Sequence, residues 1–333
     1  MAYKRNLTKA ELCQNICDPS NFSKICAKKR KVTLDLLLQL ANKLNISYDE
    51  LQLHSSFNNP DQYLEVSQLF KRLRRDQNFH KIKKLYNTYK NSYEEDNLEM
   101  QQLFIWINGY HHLFINLNPL YAIDLFKKAI LIKKPNFCFK QLNLELLNEQ
   151  EINILYDLVL SYMVHEEITR HPNYELDYPI TVCTAIIDDL SKRKLIKDFS
   201  LLPTFCTLLA SIYATFHNSS LLYTYAMKGL HYCQDHLQYS AIPGLYLQLT
   251  TYEKLTGNED KALQYFYEAL FLYKTQNRSA SFYRTLPYFI KNNELKVDMN
   301  KVNQLLPRPI LSLTSEDIKQ EAIALKKRYN NLK

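Results

Sequence analysis

The densest group of reactive side chains in this chain is His165, Glu166, Glu167 and, six residues after the first histidine, His171. Zinc-dependent hydrolysis needs two histidines on one helical face, four residues apart, with a carboxylate between them as general base. A spacing of six turns the second imidazole away from the first, and Pro172 ends the helix there. Glu149 and Glu151 add acidity without ligand spacing, and His111-His112 reads as packing or groove lining near Trp106. Cys13 and Cys17 stand four apart, but no second thiol or histidine pair completes a metal site. The seven scattered cysteines suit buried thiols in a reducing cytosol. No Ser/His/Asp or Cys/His pairing emerges from spacing. The four glycines, Gly109, Gly229, Gly244 and Gly257, are too dispersed for a dinucleotide fingerprint, a phosphate-cradling loop or a nucleophile elbow. The chain is therefore expected not to be an enzyme, with no catalytic residue, no metal and no cofactor.

These side chains are mounted on helices. Four glycines and 11 prolines among 333 residues, with many Leu, Lys, Glu, Gln and Tyr, predict an all-α chain. The length exceeds what one core usually supports, so two domains or a repeat array are expected. The sequence has no run of 18 apolar residues, and its basic start is followed by no apolar stretch. Neither a membrane span nor a signal peptide is expected. The net charge of +8 sits at one end. Residues 1–51 carry nine basic and five acidic side chains, and residues 71–90 carry eight basic ones against Asp76 alone. From residue 91 onward the chain is almost neutral. A basic head on a neutral body suggests a polyanion-binding end joined to a part with another task. For residues 71–90 a solvated helix face is the alternative.

The head divides into short helices. Thr8 with Glu11 forms a capping box that starts a helix over Lys9–Asn15. Asp18 as N-cap and Pro19 at the first helical position start Pro19–Ala27, whose Phe22, Ile25 and Cys26 fall on one inward stripe. Thr33 caps Leu34–Leu44, and Ser47 caps a short helix through Leu51. Leu7, Thr8, Leu12 and Ile16, then Ser20, Phe22, Ser23, Lys24 and Ile25, then Leu37, Leu40, Ala41 and Leu44 follow one known pattern. The segment resembles the helix-turn-helix domain of phage-repressor-type regulators over about forty-five residues. The resemblance implies that Pro19–Ala27 is the recognition helix, with Ser20, Asn21 and Lys24 nearest base edges or phosphates. Lys28, Lys29, Arg30 and Lys31 would grip the backbone. It also implies a first helix of about a dozen residues where only six precede Leu7, so that helix is expected to be truncated. Cys26 and Lys28 stand where the family usually has Glu and Gly.

Two domains and a linker follow: 1–53 as the head, 54–62 (HSSFNNPDQ) as the polar linker, and 63–333 as a helical body. In the body, YAIDLFKKAI (Tyr121–Ile130) and KALQYFYEAL (Lys261–Leu270) superpose, with Ala122, Phe126 and Ala129 matching Ala262, Phe266 and Ala269. LLYTYAMKGL follows the same phase through Leu222, Ala226 and Gly229. Small residues at these positions let the two helices of a hairpin approach closely, as in tetratricopeptide repeats, and Trp106 and Gly257-Asn258 fit that repeat. An ordinary amphipathic bundle is the alternative.

A degenerate helical-hairpin array behind a helix-turn-helix resembles the peptide-pheromone-responsive (RRNPP-type) regulators of quorum sensing. The resemblance implies a right-handed superhelix that homodimerises in the cytoplasm, binds a short linear signalling peptide on its concave side and controls transcription at double-stranded DNA. Repeat phase then places Thr204, Thr207, Ser211, Ala214 and Thr215 on the groove from one helix. Gly244, Leu247, Thr251, Lys254 and Leu255 come from another. Small polar groups suit an extended peptide backbone, and Lys254 suits its carboxylate. The alternative function is a repeat-only adaptor, or an anti-repressor acting on a related regulator, whose head no longer binds DNA.

Overall fold

The computed structural model describes residues 8–27, 29–30, 33–44, 60–75, 78–90, 97–144, 147–169, 176–192, 201–276, 286, 289–290 and 293–305. Among these residues every regular element is a helix. The chain divides into two compact units, residues 1–69 and 70–333.

The first unit holds α1 (Lys9–Cys13), α2 (Pro19–Cys26), α3 (Leu34–Lys43) and most of α4 (Pro60–Arg75). The local signals act as read. The Glu11 amide donates to Thr8 Oγ1 at 3.2 Å, and the Thr8 amide donates to Glu11 Oε2 at 2.7 Å. The Thr8 hydroxyl, which donates to Glu11 Oε2 at 2.7 Å, and the Thr8 amide hold the Glu11 carboxyl below the usual range. The Ser20 amide donates to Asp18 Oδ1 at 2.7 Å and starts α2 at Pro19. Thr33 accepts from the Leu36 amide and starts α3. Leu12, Leu40 and Leu44 form a small core with Ile16, Phe22 and Leu36 against it. Cys26 departs from the inward stripe and is exposed. The short helix expected at Ser47–Leu51 lies outside the described residues. Pro60 opens α4 inside the stretch read as linker, because proline suits a helix's first turn; residues 54–59 are not among those described.

The second unit continues with α5 (Phe79–Tyr89), α6 (Leu98–Phe114), α7 (Pro119–Lys133), α8 (Glu149–Thr169), α9 (Asp177–Leu190), α10 (Leu201–Thr215), α11 (Ser219–Asp235), α12 (Ile242–Leu255), α13 (Glu259–Thr275) and α14 (Met299–Leu305). The sequential pairs α6/α7, α8/α9, α10/α11 and α12/α13 are hairpins, each packed on the next. Ala122, Phe126, Ala129, Ala226, Ala262, Phe266 and Ala269 are all fully buried, as their shared phase predicts. A Cβ on Gly229 would stand 2.7 Å from Leu245 and 3.0 Å from the Cys206 Cβ, so three helices meet there without room for a methyl group.

Three of the hairpin turns share one construction. Leu117, His217 and Gly257 take positive φ (52°, 53° and 84°), and each is followed by an asparagine at the N-cap position of the second helix. Asn118 and Asn218 accept from the amides of Tyr121 and Leu221 at 3.2 and 3.1 Å. Only Gly257 announces this conformation by residue type. Leucine and histidine adopt it at some local cost, offset by the packing of the helices they join.

Candidate functional site

In the first unit, α2 presents Ser20 and Lys24 to solvent and Asn21 half-buried. After α2 the Lys29 amide donates back to the Lys24 carbonyl at 2.8 Å, a helix-closing bond that turns the chain over its own helix. This turn brings Arg30 to Asn21, with Nη1 donating to Asn21 Oδ1 at 2.7 Å. Lys29 and Arg30 are exposed. Lys28 and Lys31 lie outside the described residues. Asp18, held low by its bonds to Ser20, is the acidic neighbour of this otherwise cationic face. Such a surface suits a polyanion.

In the second unit the first helices of successive hairpins touch one another: α6 with α8, α8 with α10, and α10 with α12. No comparable contact joins successive second helices among the described residues. The first helices therefore form the inner, concave layer. Thr204, Thr207 and Ser211 are half-buried on α10, and Thr215 at its end is exposed. Thr207 Oγ1 donates to the Pro203 carbonyl at 2.9 Å, Thr215 Oγ1 to Ile212 at 2.7 Å, and Thr251 Oγ1 to Leu247 at 3.3 Å. With their protons committed to the helix, these hydroxyls offer acceptor lone pairs, which match the N–H groups of an extended peptide. A Cβ on Gly244 would meet Thr207 Cγ2 at 3.3 Å and the Tyr273 hydroxyl at 4.0 Å, so α10, α12 and α13 converge there. Lys254 is already engaged, its Nζ 3.0 Å from Glu259 Oε1 across the hairpin turn. A peptide carboxylate there competes with that pair.

Sequence reasoning missed a heavily connected, buried polar group. Arg74 of α4 grips Asp157 of α8 through Nε (2.8 Å to Oδ2) and Nη2 (2.9 Å to Oδ1), and its Nη1 donates to Asn153 Oδ1 at 3.2 Å. Trp106 Nε1 donates to Asp157 Oδ2 at 2.7 Å. The guanidinium lies over the Trp106 and Tyr156 rings at 5.5 and 5.3 Å. Tyr156 in turn meets Phe205 of α10 edge-on at 5.5 Å. Burial alone would weaken the Arg74 charge, yet the Asp157 carboxylate more than offsets it and holds Arg74 above its usual value. Burial pushes the Asp157 carboxyl up, against the pull of Arg74 and Trp106. Burial also pushes the Tyr156 phenol up to about 12. The one usable signal was Asp157 itself, an acid inside the apolar run Ile152–Val159.

His111, near Trp106 on α6, is buried and stacked on Tyr86 at 5.0 Å, and its Nδ1 has no hydrogen bond. Burial, then the charges of His112, Lys83 and Lys90, lower its pKa. A lowered histidine stabilises the fold fully above its unfolded value, near 6.5, and loses that stabilisation as pH falls toward the folded value. We expect His111→Phe to flatten the fall in melting temperature below about pH 6.5. Half-buried His112, also lowered by burial, contributes to the residual slope. An unchanged profile removes His111 from the titration.

No group of three or more histidine, cysteine, aspartate or glutamate side chains among the described residues is placed to hold a metal. His171 lies outside them. None of the described helices is long and apolar enough to cross a membrane.

No protein-family model matches the chain, and no curated protein is similar to it in sequence. Among solved structures, PlcR of Bacillus thuringiensis, in complex with the peptide PapR7 and DNA, matches with a TM-score of 0.65 at 16% identity. The match covers 84% of this chain and 94% of PlcR. The chain shares the PlcR fold. Rgg2 of Streptococcus dysgalactiae, an SHP pheromone receptor, matches with a TM-score of 0.51 at 14% identity, over 87% of this chain and 96% of Rgg2. The helical-hairpin array expected from Ala122, Ala226 and Ala262 is thus a fold seen in a peptide-bound and a pheromone-receiving protein.

Proposed function

We propose that the chain is a peptide-responsive transcriptional regulator of the RRNPP type, cytoplasmic and homodimeric. Residues 1–53 bind double-stranded DNA, 54–62 connect, and the inner face of 63–333 binds a short linear signalling peptide. The observation that carries this reading is a fold shared over nearly all of PlcR, whose solved structure holds both a peptide and DNA. The chain's own chemistry supports it at both ends. Lys24, Lys29 and Arg30 are exposed around α2, and the hydroxyls of Thr207, Thr215 and Thr251 present acceptors beside Gly244. Thr204, Ser211 and Lys254 complete the proposed peptide-binding set, and Ser20, Asn21, Lys28 and Lys31 the DNA-binding one. The peptide binds one arrangement of the dimer more tightly and shifts the population toward it, which changes the presentation of the two recognition helices.

The test is fluorescence anisotropy on genomic duplex fragments and on synthetic peptides from short reading frames beside the gene. Lys24→Ala is expected to weaken duplex binding about tenfold while leaving peptide affinity intact. Gly244→Phe fills the space between Thr207 and Tyr273, and peptide binding is expected to vanish while peptide-free duplex binding survives. Peptide binding without any duplex binding would favour the adaptor or anti-repressor reading instead.

A further inference from the structure

We infer that Arg30 reads bases together with Asn21, orienting its carboxamide and selecting guanine, and is not only a grip on the DNA backbone. The inference rests on the DNA-binding reading above. The carrying observation is the 2.7 Å bond from Arg30 Nη1 to Asn21 Oδ1, between residues nine apart on an exposed face.

A guanidinium has five N–H donors and no acceptor, so it can meet a carboxamide only at its oxygen. The bond therefore settles which end of the Asn21 amide faces Arg30, and turns Nδ2 with its two protons elsewhere. A surface asparagine without such a partner presents oxygen and nitrogen interchangeably. The closing bond from the Lys29 amide to the Lys24 carbonyl holds the chain turn that delivers Arg30.

The consequence is an edge made of donors. A free asparagine matches adenine, which offers an acceptor at N7 and a donor at N6. With Oδ1 engaged by a cation, the carboxamide accepts poorly from adenine N6. Its Nδ2–H groups, polarised by the charge on Oδ1, are better donors. Together with the guanidinium N–H groups that Asn21 leaves unused, they match two adjacent acceptors. In the major groove that edge is guanine N7 and O6. Lys24, one helical turn from Asn21, stays available for phosphate.

The experiment selects bound duplexes from a randomised pool with the full-length chain, its Arg30→Gln and Asn21→Ala variants, and the double variant. Circular dichroism and melting temperature check that all four are folded. The wild type is expected to enrich guanine at one position of each half-site. Each single variant should lose about tenfold of that preference, the lower part of what one bidentate pair supplies. The double variant should lose no more than either single. Uniformly weaker binding of Arg30→Gln with the guanine preference unchanged makes Arg30 a phosphate contact and overturns the proposal. Adenine at the position sensitive to Asn21→Ala, or additive losses, also overturns it. Failure of the wild type to bind any duplex is a separate result, which overturns the DNA-binding reading and this proposal with it.

Discussion

Replacing Arg74 by alanine is expected to destabilise the repeat unit by about 3–5 kcal/mol, the cost of leaving a buried carboxylate without its cation. The side chain of Asp157 is 1% exposed and that of Arg74 17%, so water reaches neither group freely. Asp157 keeps the Trp106 indole N–H at 2.7 Å, a single neutral donor that does not replace a bidentate guanidinium. Asp157→Ala should cost a comparable amount, because it strands the cation. Arg74→Leu with Asp157→Leu should cost less than either single variant, because no unpaired charge remains, although the buried Trp106 indole N–H loses its acceptor. Trp106 is the only tryptophan, fully buried beside the pair, so its fluorescence in a urea titration reports the transition directly. A loss below about 1 kcal/mol for Arg74→Ala would mean that the pair behaves as a surface ion pair. Asn153 and Tyr156 of α8 and Trp106 of α6 also contact the Arg74 guanidinium.

Gly109→Ala is the second large effect, expected to destabilise by about 1–3 kcal/mol through overpacking. The added methyl would stand 2.5 Å from Phe126 Cε1 and 2.8 Å from Cδ1. A flexible side chain could retreat, but Phe126 is a fully buried ring in the hairpin partner α7, and interiors are close-packed. The α6/α7 hairpin must open by a few tenths of an ångström or the ring must leave its rotamer. Gly109→Ala combined with Phe126→Leu should recover part of the loss against Phe126→Leu alone, measured by the same titration. Strictly additive losses would show that the ring is not the obstacle.

Much of the fold could be read from local chemistry. The caps at Thr8, Asp18 and Thr33 start helices where their side chains accept amides, and such bonds depend only on residues three or four apart. The Ala122, Ala226 and Ala262 phase identified the hairpins because close helix contact excludes larger side chains at a fixed period. The turn before Asn258 was legible through Gly257, whereas Leu117 and His217 hide the same conformation behind residues that rarely adopt it. Repeat phase also gave the proposed groove side of α10. The engagement of Lys254 by Glu259 did not, because a pairing is decided by rotamers and not by periodicity.

The basic run at 71–90 shows where reading by composition stops. Its eight cations looked like one patch, yet Arg74 points into the protein and pairs with an acid eighty-three residues away. Alone, the sequence determined an all-α chain, a basic head with its helix starts, and a hairpin array with its small-residue contacts, because propensity, capping and periodicity act over a few residues. Only the tertiary structure decided which charges are spent inside, as Arg74 on Asp157, and which surface groups act as a unit, as Arg30 with Asn21. Those depend on distances between segments that local spacing does not encode.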